Sequence, residues 1–396
     1  MRLLKPLQLR SLEGGRKVSW LELFFDLIFV AAVSQVAEPL RHHYSAGEIV
    51  RFAPLLVLIW WAWTGHTNFA TRFDTDDAVQ RALTLVQMFV VAVMAANAQD
   101  ALDSRSSAGF AAAYAAMRFL LVAQYLRARH VPEARPLTAR YVAGHGVAAV
   151  LWLVSALVPA PWRFWIWGAA FAIDLGTPWL ALPHSVKAPP DAAHLPERFG
   201  LFTLILLGES VVAVMHGMES QEHWTPGAAL AAFLGMAISF LIWWWYFDGV
   251  AGGSERVVRT EREALRLHVW TYAHFPLYLG IIVTSVGVQA IVTAAARNAL
   301  APSEIVILSG ALASVMGALT MIGAASPAGS RYTATGMAKS LGLAMGTLAL
   351  GITGGIASPV ALIVVLALLC LAQVLVSVSA VVVPERRMAS APAAHP

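Results

Sequence analysis

Long apolar stretches separated by short polar segments dominate this chain. Twelve of them approach the length of about 20 residues that an α-helix needs to cross a bilayer. They cover residues 18–38, 50–68, 83–102, 108–127, 141–159, 163–183, 198–217, 227–249, 266–292, 303–323, 335–355 and 359–383. The pattern predicts an all-α polytopic membrane protein with about twelve transmembrane helices.

Composition supports this class. Of 396 residues, 58% are hydrophobic and only 13% are charged, whereas soluble domains carry about 25% charged residues. The single cysteine, Cys370, lies in an apolar stretch and excludes a disulfide framework within the chain. The basic residues cluster in short loops, so the net charge of +4 gives no reason to expect a nucleic-acid partner.

The distribution of basic residues predicts the orientation. Cytoplasmic loops of membrane proteins are enriched in Lys and Arg. If the basic N-terminal arm is cytoplasmic, most of the 27 Lys and Arg residues fall on the cytoplasmic side. The opposite side then carries Arg41, Arg51, Arg105, Arg163 and Arg297. We therefore expect both termini in the cytoplasm.

The chain also shows a weak internal repeat. "LIWWAW" at 58–63 returns as "LIWWWY" at 241–246, an offset of 183 residues. The same offset places Asp26 on Glu209. Six helices per half would make both halves enter from the same side, as a parallel 6+6 repeat. Chance similarity between apolar segments is the alternative. The predicted halves are residues 1–190 and 191–396.

Five charged residues lie inside predicted spans, namely Glu22, Asp26, Arg118, Asp174 and Glu209. Each costs about 2.5–3.5 kcal/mol at a helix centre, so such residues usually face the bundle interior. Glu22 and Asp26 share a helix face, and at least one of them should pair with a cation or hold a proton. Arg118 needs an anion, and we expect Asp26, Asp174 or Glu209 to provide it, with residues 22 and 26 facing Arg118.

Two interpretations of these charges stay open. They could form a substrate or ion site, or ion pairs that only fix helix packing. His274, two residues before Pro276, could relay protons or be a hydrogen-bonded packing residue. His66 and His145 look like helix-end residues. Two tryptophan clusters are typical of an interfacial belt, with a stacking surface for substrate as the alternative: Trp60, Trp61 and Trp63, and Trp243 to Trp245.

The sequence contains no G-x-S-x-G, Walker or H-E-x-x-H motif. No loop is long enough for a soluble nucleotide-binding domain. We therefore expect no enzyme activity, no cofactor, no metal site and no ATP-driven transport by this chain alone.

Two stretches carry a family resemblance. "WLELFFDLIFVAAVSQVAE" at 20–38 and "HLPERFGLFTLILLGESVV" at 194–212 resemble the two signatures of the bacterial low temperature requirement protein A (LtrA) family. The resemblance implies a multi-pass protein of the bacterial inner membrane and no settled biochemical activity. The matching motif positions are Glu22, Asp26, His194, Glu197, Arg198, Gly208 and Glu209.

These observations favour a proton- or ion-coupled secondary transporter. Asp26 and Glu209 would bind the proton or cation, and Arg118 would hold an anionic group or tune the acids. His194, Glu197 and Arg198 lie at the predicted cytoplasmic mouth of the seventh helix, as a gate or as capping and anchoring residues. The expected partners are membrane lipid and a small solute or proton. The alternatives are a membrane-embedded enzyme or sensor for a lipid or apolar molecule, and a structural protein.

Overall fold

The structure is a computed structural model of the chain. It describes residues 6–10, 18–74, 77–103, 105–221, 223–250, 255–297, 300–326, 333–354 and 358–389, without the side chains of 297 and 378–389. Most of the basic arm that predicts the orientation (Arg2, Lys5, Arg16 and Lys17) lies outside the described residues.

The described residues form twelve α-helices, a two-stranded sheet and one π-helical segment. The helices are α1 Trp20–His42, α2 Ala46–Ala70, α3 Ala78–Ala96, α4 Ser107–Ala128, α5 Arg135–Leu157, α6 Trp162–Ser185, α7 His194–Glu219, α8 Pro226–Trp244, α9 Glu261–Arg297, α10 Pro302–Ala324, α11 Ala334–Thr353 and α12 Pro359–Ala389. The π-helical segment, Trp245–Val250, continues α8. The predicted all-α architecture is confirmed.

Ten helices in the described part of the chain are long and apolar enough to cross a membrane. The two that are not are α6 and α11. Asp174 and several tryptophans lower the mean hydropathy of α6, and Lys339 with several glycines lowers that of α11. These ten helices are typical of a polytopic membrane protein.

The chain divides into two compact units. Unit 1 consists of residues 1–42, 47–205 and 255–267, and unit 2 of residues 43–46, 206–254 and 268–396. Helices α7 and α9 contribute residues to both units. The predicted repeat halves 1–190 and 191–396 stay a prediction.

The start of α7 differs from the predicted span in a way that changes the site. The Asp191 carboxylate accepts the backbone N–H groups of Ala193 at 3.0 Å and His194 at 2.9 Å. A side chain that satisfies these first amides fixes the beginning of a helix. Helix α7 therefore starts at His194, and Arg198 lies one turn inside it rather than at its end.

A small sheet ties the described part of the N-terminal arm to unit 1. Strand β1 (Gln8–Leu9) pairs antiparallel with β2 (Phe73–Asp74), which follows α2. Leu7 and Phe73 then pack in a buried cluster with Phe69, Tyr125 and Tyr141. Arg10, next after β1, is thereby placed beside the first turn of α1.

Candidate functional site

The centre of the candidate site is a buried ion pair between α1 and α7. Arg198 reaches Asp26 with two hydrogen bonds, from Nε at 3.0 Å and from Nη2 at 2.5 Å. Trp63 of α2 donates a third hydrogen bond to the same carboxylate, from Nε1 at 2.7 Å. Asp26, Arg198 and Trp63 are all completely buried. A guanidinium and a carboxylate in this two-pronged geometry fix each other's position and charge.

Glu22 lies one turn before Asp26 in α1. Its carboxylate contacts the Asp26–Arg198 pair on one side and residues at the starts of α1 and α7 on the other. Its Oε1 is 3.1 Å from His194 Nε2, 3.4 Å from Arg10 Nη2 and 3.5 Å from Arg198 Nη1. Its Oε2 accepts hydrogen bonds from the hydroxyl and the backbone N–H of Ser19, both at 2.8 Å. Both acids on this face of α1 therefore have cationic partners, as their spacing predicts.

His194 stands between two carboxylates. Its Nε2 faces Glu22, while its Nδ1 lies 3.7 Å from Glu197. The His194 side chain is 1% exposed, and that of Glu197 is 41% exposed. The imidazole therefore has a carboxylate on each side.

A cavity of about 340 Å³ opens at this end of unit 1. Glu22 and Arg10 line it together with residues of α2 and α3, including His66, Gln80 and Arg81. Ligand pockets in proteins have volumes of about 300–1,000 Å³. Glu22 and Arg10, with side chains 12% and 10% exposed, are thus the members of the ion-pair cluster that line this cavity.

A second cavity, of about 370 Å³, lies at the other end of α1 and α2 in the same unit. Its lining includes Pro39 of α1, Glu48 and Arg51 of α2, and Asp103. On the inner faces of these helices, the residues between the two cavities include six that are buried: Phe25, Asp26, Phe29, Ile59, Trp60 and Trp63. The Asp26–Arg198 pair therefore occupies a closed layer between two accessible spaces.

A separate buried polar cluster joins α4, α5 and α6. Arg118 Nε lies 3.0 Å from Asp174 Oδ2, and Arg118 Nη2 donates to the Tyr114 hydroxyl at 2.7 Å. Asp174 Oδ1 also lies 2.5 Å from His145 Nδ1. Gly65 of α2 lets this guanidinium approach, because a Cβ there would lie 2.9 Å from Arg118 Nη1.

The expectation that residues 22 and 26 face Arg118 is wrong. Arg118 pairs with Asp174, and both acids of α1 pair with Arg198. The error came from the predicted start of the seventh span, which left Arg198 at a helix end and made Arg118 the only deep cation. With two deep arginines, Glu22, Asp26 and Asp174 all have arginine partners.

Sequence reasoning also missed aromatic and imidazole groups. Trp60, Trp61 and Trp63 are buried inside unit 1, so an interfacial belt is wrong for this cluster. His66 and His145 are 3% and 2% exposed. His66 does lie near the end of α2, whereas His145 lies in the middle of α5 and is not a helix-end residue. The sequence signal for Trp63 was its position three residues before His66 in an apolar helix. No sequence pattern predicts that Trp63 hydrogen-bonds Asp26.

Two predicted residues belong to unit 2. Glu209 is half-buried there, and its neighbour Ser210 hydrogen-bonds Ser285 at 2.5 Å. His274 Nδ1 lies 2.8 Å from the Trp270 carbonyl oxygen, and its Nε2 lies 3.0 Å from the Tyr246 hydroxyl. These contacts fit a hydrogen-bonded packing residue. A shared site of Asp26 and Glu209 stays a prediction.

Comparisons with known proteins agree with the motif resemblance. The family described as bacterial low temperature requirement A protein (LtrA) matches residues 17–383. The uncharacterized protein RA0937 of Rhizobium meliloti (strain 1021) is 30% identical over 286 residues, which are 68% of each chain. No solved structure matches the chain. With nearly the whole length matched, the chain belongs to the bacterial low temperature requirement A (LtrA) family.

Proposed function

We propose that this protein is a proton-coupled secondary transporter of a small solute. Its proton-binding centre would consist of Glu22, His194 and Glu197, supported by the Asp26–Arg198 pair. The observation that carries the proposal is the position of His194 between two carboxylates, one of which, Glu22, lines an accessible cavity. Histidine is the side chain whose charge changes most readily near neutral pH.

The charges of the cluster favour one exchangeable proton. Arg10 and Arg198 balance Glu22 and Asp26, and Glu197 adds one further negative charge. A proton on the imidazole of His194 makes the five-charge cluster neutral. Because an uncompensated charge is costly at low dielectric constant, binding and release of that proton would alter the partners of Glu22.

The route for the proton would begin at the cavity. Glu22 lines the cavity and is 3.1 Å from His194, so a proton can pass between them directly. Glu22 also shares Arg198 with Asp26. Loss of the negative charge on Glu22 would leave Arg198 with Asp26 alone, and this change would reach the closed layer between the two cavities.

The same proposal includes the number of membrane spans, the side of the membrane on which the termini lie, and the internal repeat. We propose that α6 and α11 complete twelve spans, because each adjoins apolar helices and, with 24 and 20 residues, reaches the length of about 20 residues that a span needs. Both termini would be cytoplasmic in the bacterial inner membrane, and the two halves would be a parallel repeat. Asp26 and Glu209 would occupy equivalent positions in the two halves.

A second candidate function rests on a different space. An apolar cavity of about 360 Å³ is lined by Pro54, Leu58, Trp152, Phe164 and Trp167, among others. It would suit a lipid chain or another apolar molecule, as in a membrane-embedded sensor or enzyme. The cavity lining contains no acid, base or nucleophile, so the transporter is the stronger candidate.

Proton uptake into sealed proteoliposomes tests the proposal. The protein is reconstituted with a trapped pH dye, and a membrane potential is imposed. We expect uptake by the unmodified protein, loss of uptake in His194→Gln, and a strong reduction in Glu22→Gln. Glu209→Gln tests whether the acid of unit 2 is also required.

The matched control is His42→Gln. His42 also lies close to a carboxylate, at 3.2 Å from Glu38, but its side chain is 71% exposed. Each variant must elute as a single monodisperse species before it is assayed. Equal uptake by His194→Gln, His42→Gln and the unmodified protein would refute the assigned proton centre.

A further inference from the structure

The cavity beside Glu22 has a lining that selects a class of ligand. Its wall combines the first turn of α1, the last turn of α2 and the first two turns of α3, all within unit 1. Trp20, Leu21 and Ala70 provide apolar surface in it. Polar groups come from Glu22, His66 and Gln80, and from Arg10 and Arg81. A ligand here would need both a charged end and a small apolar part.

The electrostatics of the cavity favour an anion. Arg10 and Arg81 bring two positive charges to the lining, against one negative charge from Glu22. Arg198 lies 3.5 Å from Glu22, so this carboxylate has two arginine partners, Arg10 and Arg198. The first turn of α1 also faces this space, and a helix N-terminus carries a partial positive charge that favours anions.

Two buried polar atoms in the lining point to a ligand with further hydrogen-bonding groups. Among the described residues, neither His66 Nδ1 nor Gln80 Oε1 has a hydrogen-bond partner. His66 is 3% exposed and Gln80 is 4% exposed. The His66 ring is held by stacking on Phe25, at a centroid distance of 3.9 Å. A buried amide oxygen without a partner is costly, so a donor on the ligand would be favoured at Gln80.

We propose that this cavity binds a small monocarboxylate that carries a hydroxyl or amino group beside the carboxylate. The carboxylate would lie toward Arg10 and Arg81. The hydroxyl or amino group would donate to Gln80 Oε1, and His66 Nδ1 would provide the remaining hydrogen bond. This assignment rests on the proposed transport function, since the anion would be the solute that moves with the proton at His194.

Binding to the purified full-length protein in detergent tests the assignment without any gradient. The probes are lactate, propanoate, lactamide, ethanolamine and inorganic phosphate, measured by calorimetry and by ligand-induced thermal stabilisation. We expect lactate to bind, and propanoate, which lacks the donor, to bind about tenfold more weakly, a difference of 1.4 kcal/mol. Lactamide and ethanolamine lack the negative charge and should not bind.

Variants locate the site. Gln80→Met should lower lactate affinity to that of propanoate and leave propanoate unchanged, because it removes only the acceptor. Arg81→Gln should weaken both anions about fivefold, by the loss of one positive charge near the surface. Arg140→Gln, at an exposed position of α5 outside the cavity lining, is the matched control and should weaken neither.

The outcomes separate this inference from the proposed function. If lactate binds and Gln80→Met weakens this binding, the ligand site is supported. If lactate binding is then not coupled to proton uptake, only the transport proposal fails. Proton uptake that depends on His194, together with no binding of lactate or propanoate to the purified protein, would overturn the ligand class alone. Tighter binding of phosphate or ethanolamine than of lactate would also overturn it.

Discussion

The buried pair of Asp26 and Arg198 gives the sharpest test of the site's energetics. We expect Asp26→Asn to lower the free energy of unfolding substantially, because the change leaves a completely buried guanidinium without its main counter-charge. Breaking a buried pair from one side typically costs about 3–5 kcal/mol. Glu22, 3.5 Å from Arg198, offsets part of the loss, so about 3 kcal/mol is expected here.

The chain provides a matched control in Arg51 and Asp103. This pair joins the same two side-chain types within unit 1, but the side chains are 45% and 48% exposed. Exposed pairs contribute about 0–1 kcal/mol. Asp103→Asn should therefore change the free energy of unfolding by no more than about 1 kcal/mol.

The assay is reversible unfolding of the purified protein in mixed micelles, followed by circular dichroism. A double variant, Asp26→Leu with Arg198→Met, removes both charges and should recover at least half of the lost stability, since apolar replacements of buried pairs are often neutral. Equal losses for Asp26→Asn and Asp103→Asn would refute the reasoning. So would a double variant as unstable as the single one.

Two further predictions concern packing and topology. Gly144→Ala should destabilise the protein by about 1–3 kcal/mol, because its Cβ would lie 2.0 Å from the hydroxyl oxygen of Thr177, whereas Gly146→Ala, with nothing within 4 Å, should be neutral or slightly stabilising. Thermal unfolding of the two variants checks this, and equal melting temperatures would contradict it. In a cysteine-free background, Arg105→Cys should react with a membrane-impermeant maleimide in intact cells, and Arg129→Cys should react only after permeabilisation. Reaction of both in intact cells would contradict the predicted orientation.

Much of the fold follows from apolar periodicity, because a bilayer-spanning helix must satisfy its own backbone hydrogen bonds over a known length. That requirement is local, so the sequence predicts twelve helices at nearly the observed positions. The exceptions have local causes as well. Asp174 and Lys339 lower the hydropathy of α6 and α11, and Asp191 extends the start of α7 by a turn beyond the apolar stretch.

The pairing of charges was less predictable, because it depends on which helices are neighbours. The sequence shows acids and arginines at similar depths, and electrostatics alone would allow Arg118 to pair with any of them. Helix packing decides that it pairs with Asp174, and that Asp26 pairs with Arg198. The family motifs contained the missing information, since Glu22, Asp26, His194 and Arg198 occur in the two signature stretches and meet in space.

The two acids of α1 share an arginine but differ in access, and this difference suggests a division of roles. Asp26 is completely buried and is held by Arg198 and Trp63, so it is suited to keeping Arg198 in place. Glu22 reaches the cavity and contacts His194, so it is suited to exchanging a proton or meeting a solute. A purely structural ion-pair cluster has no need of an accessible member. The exposure of Glu22, rather than the burial of Asp26, is therefore the feature that favours a functional site over a packing device.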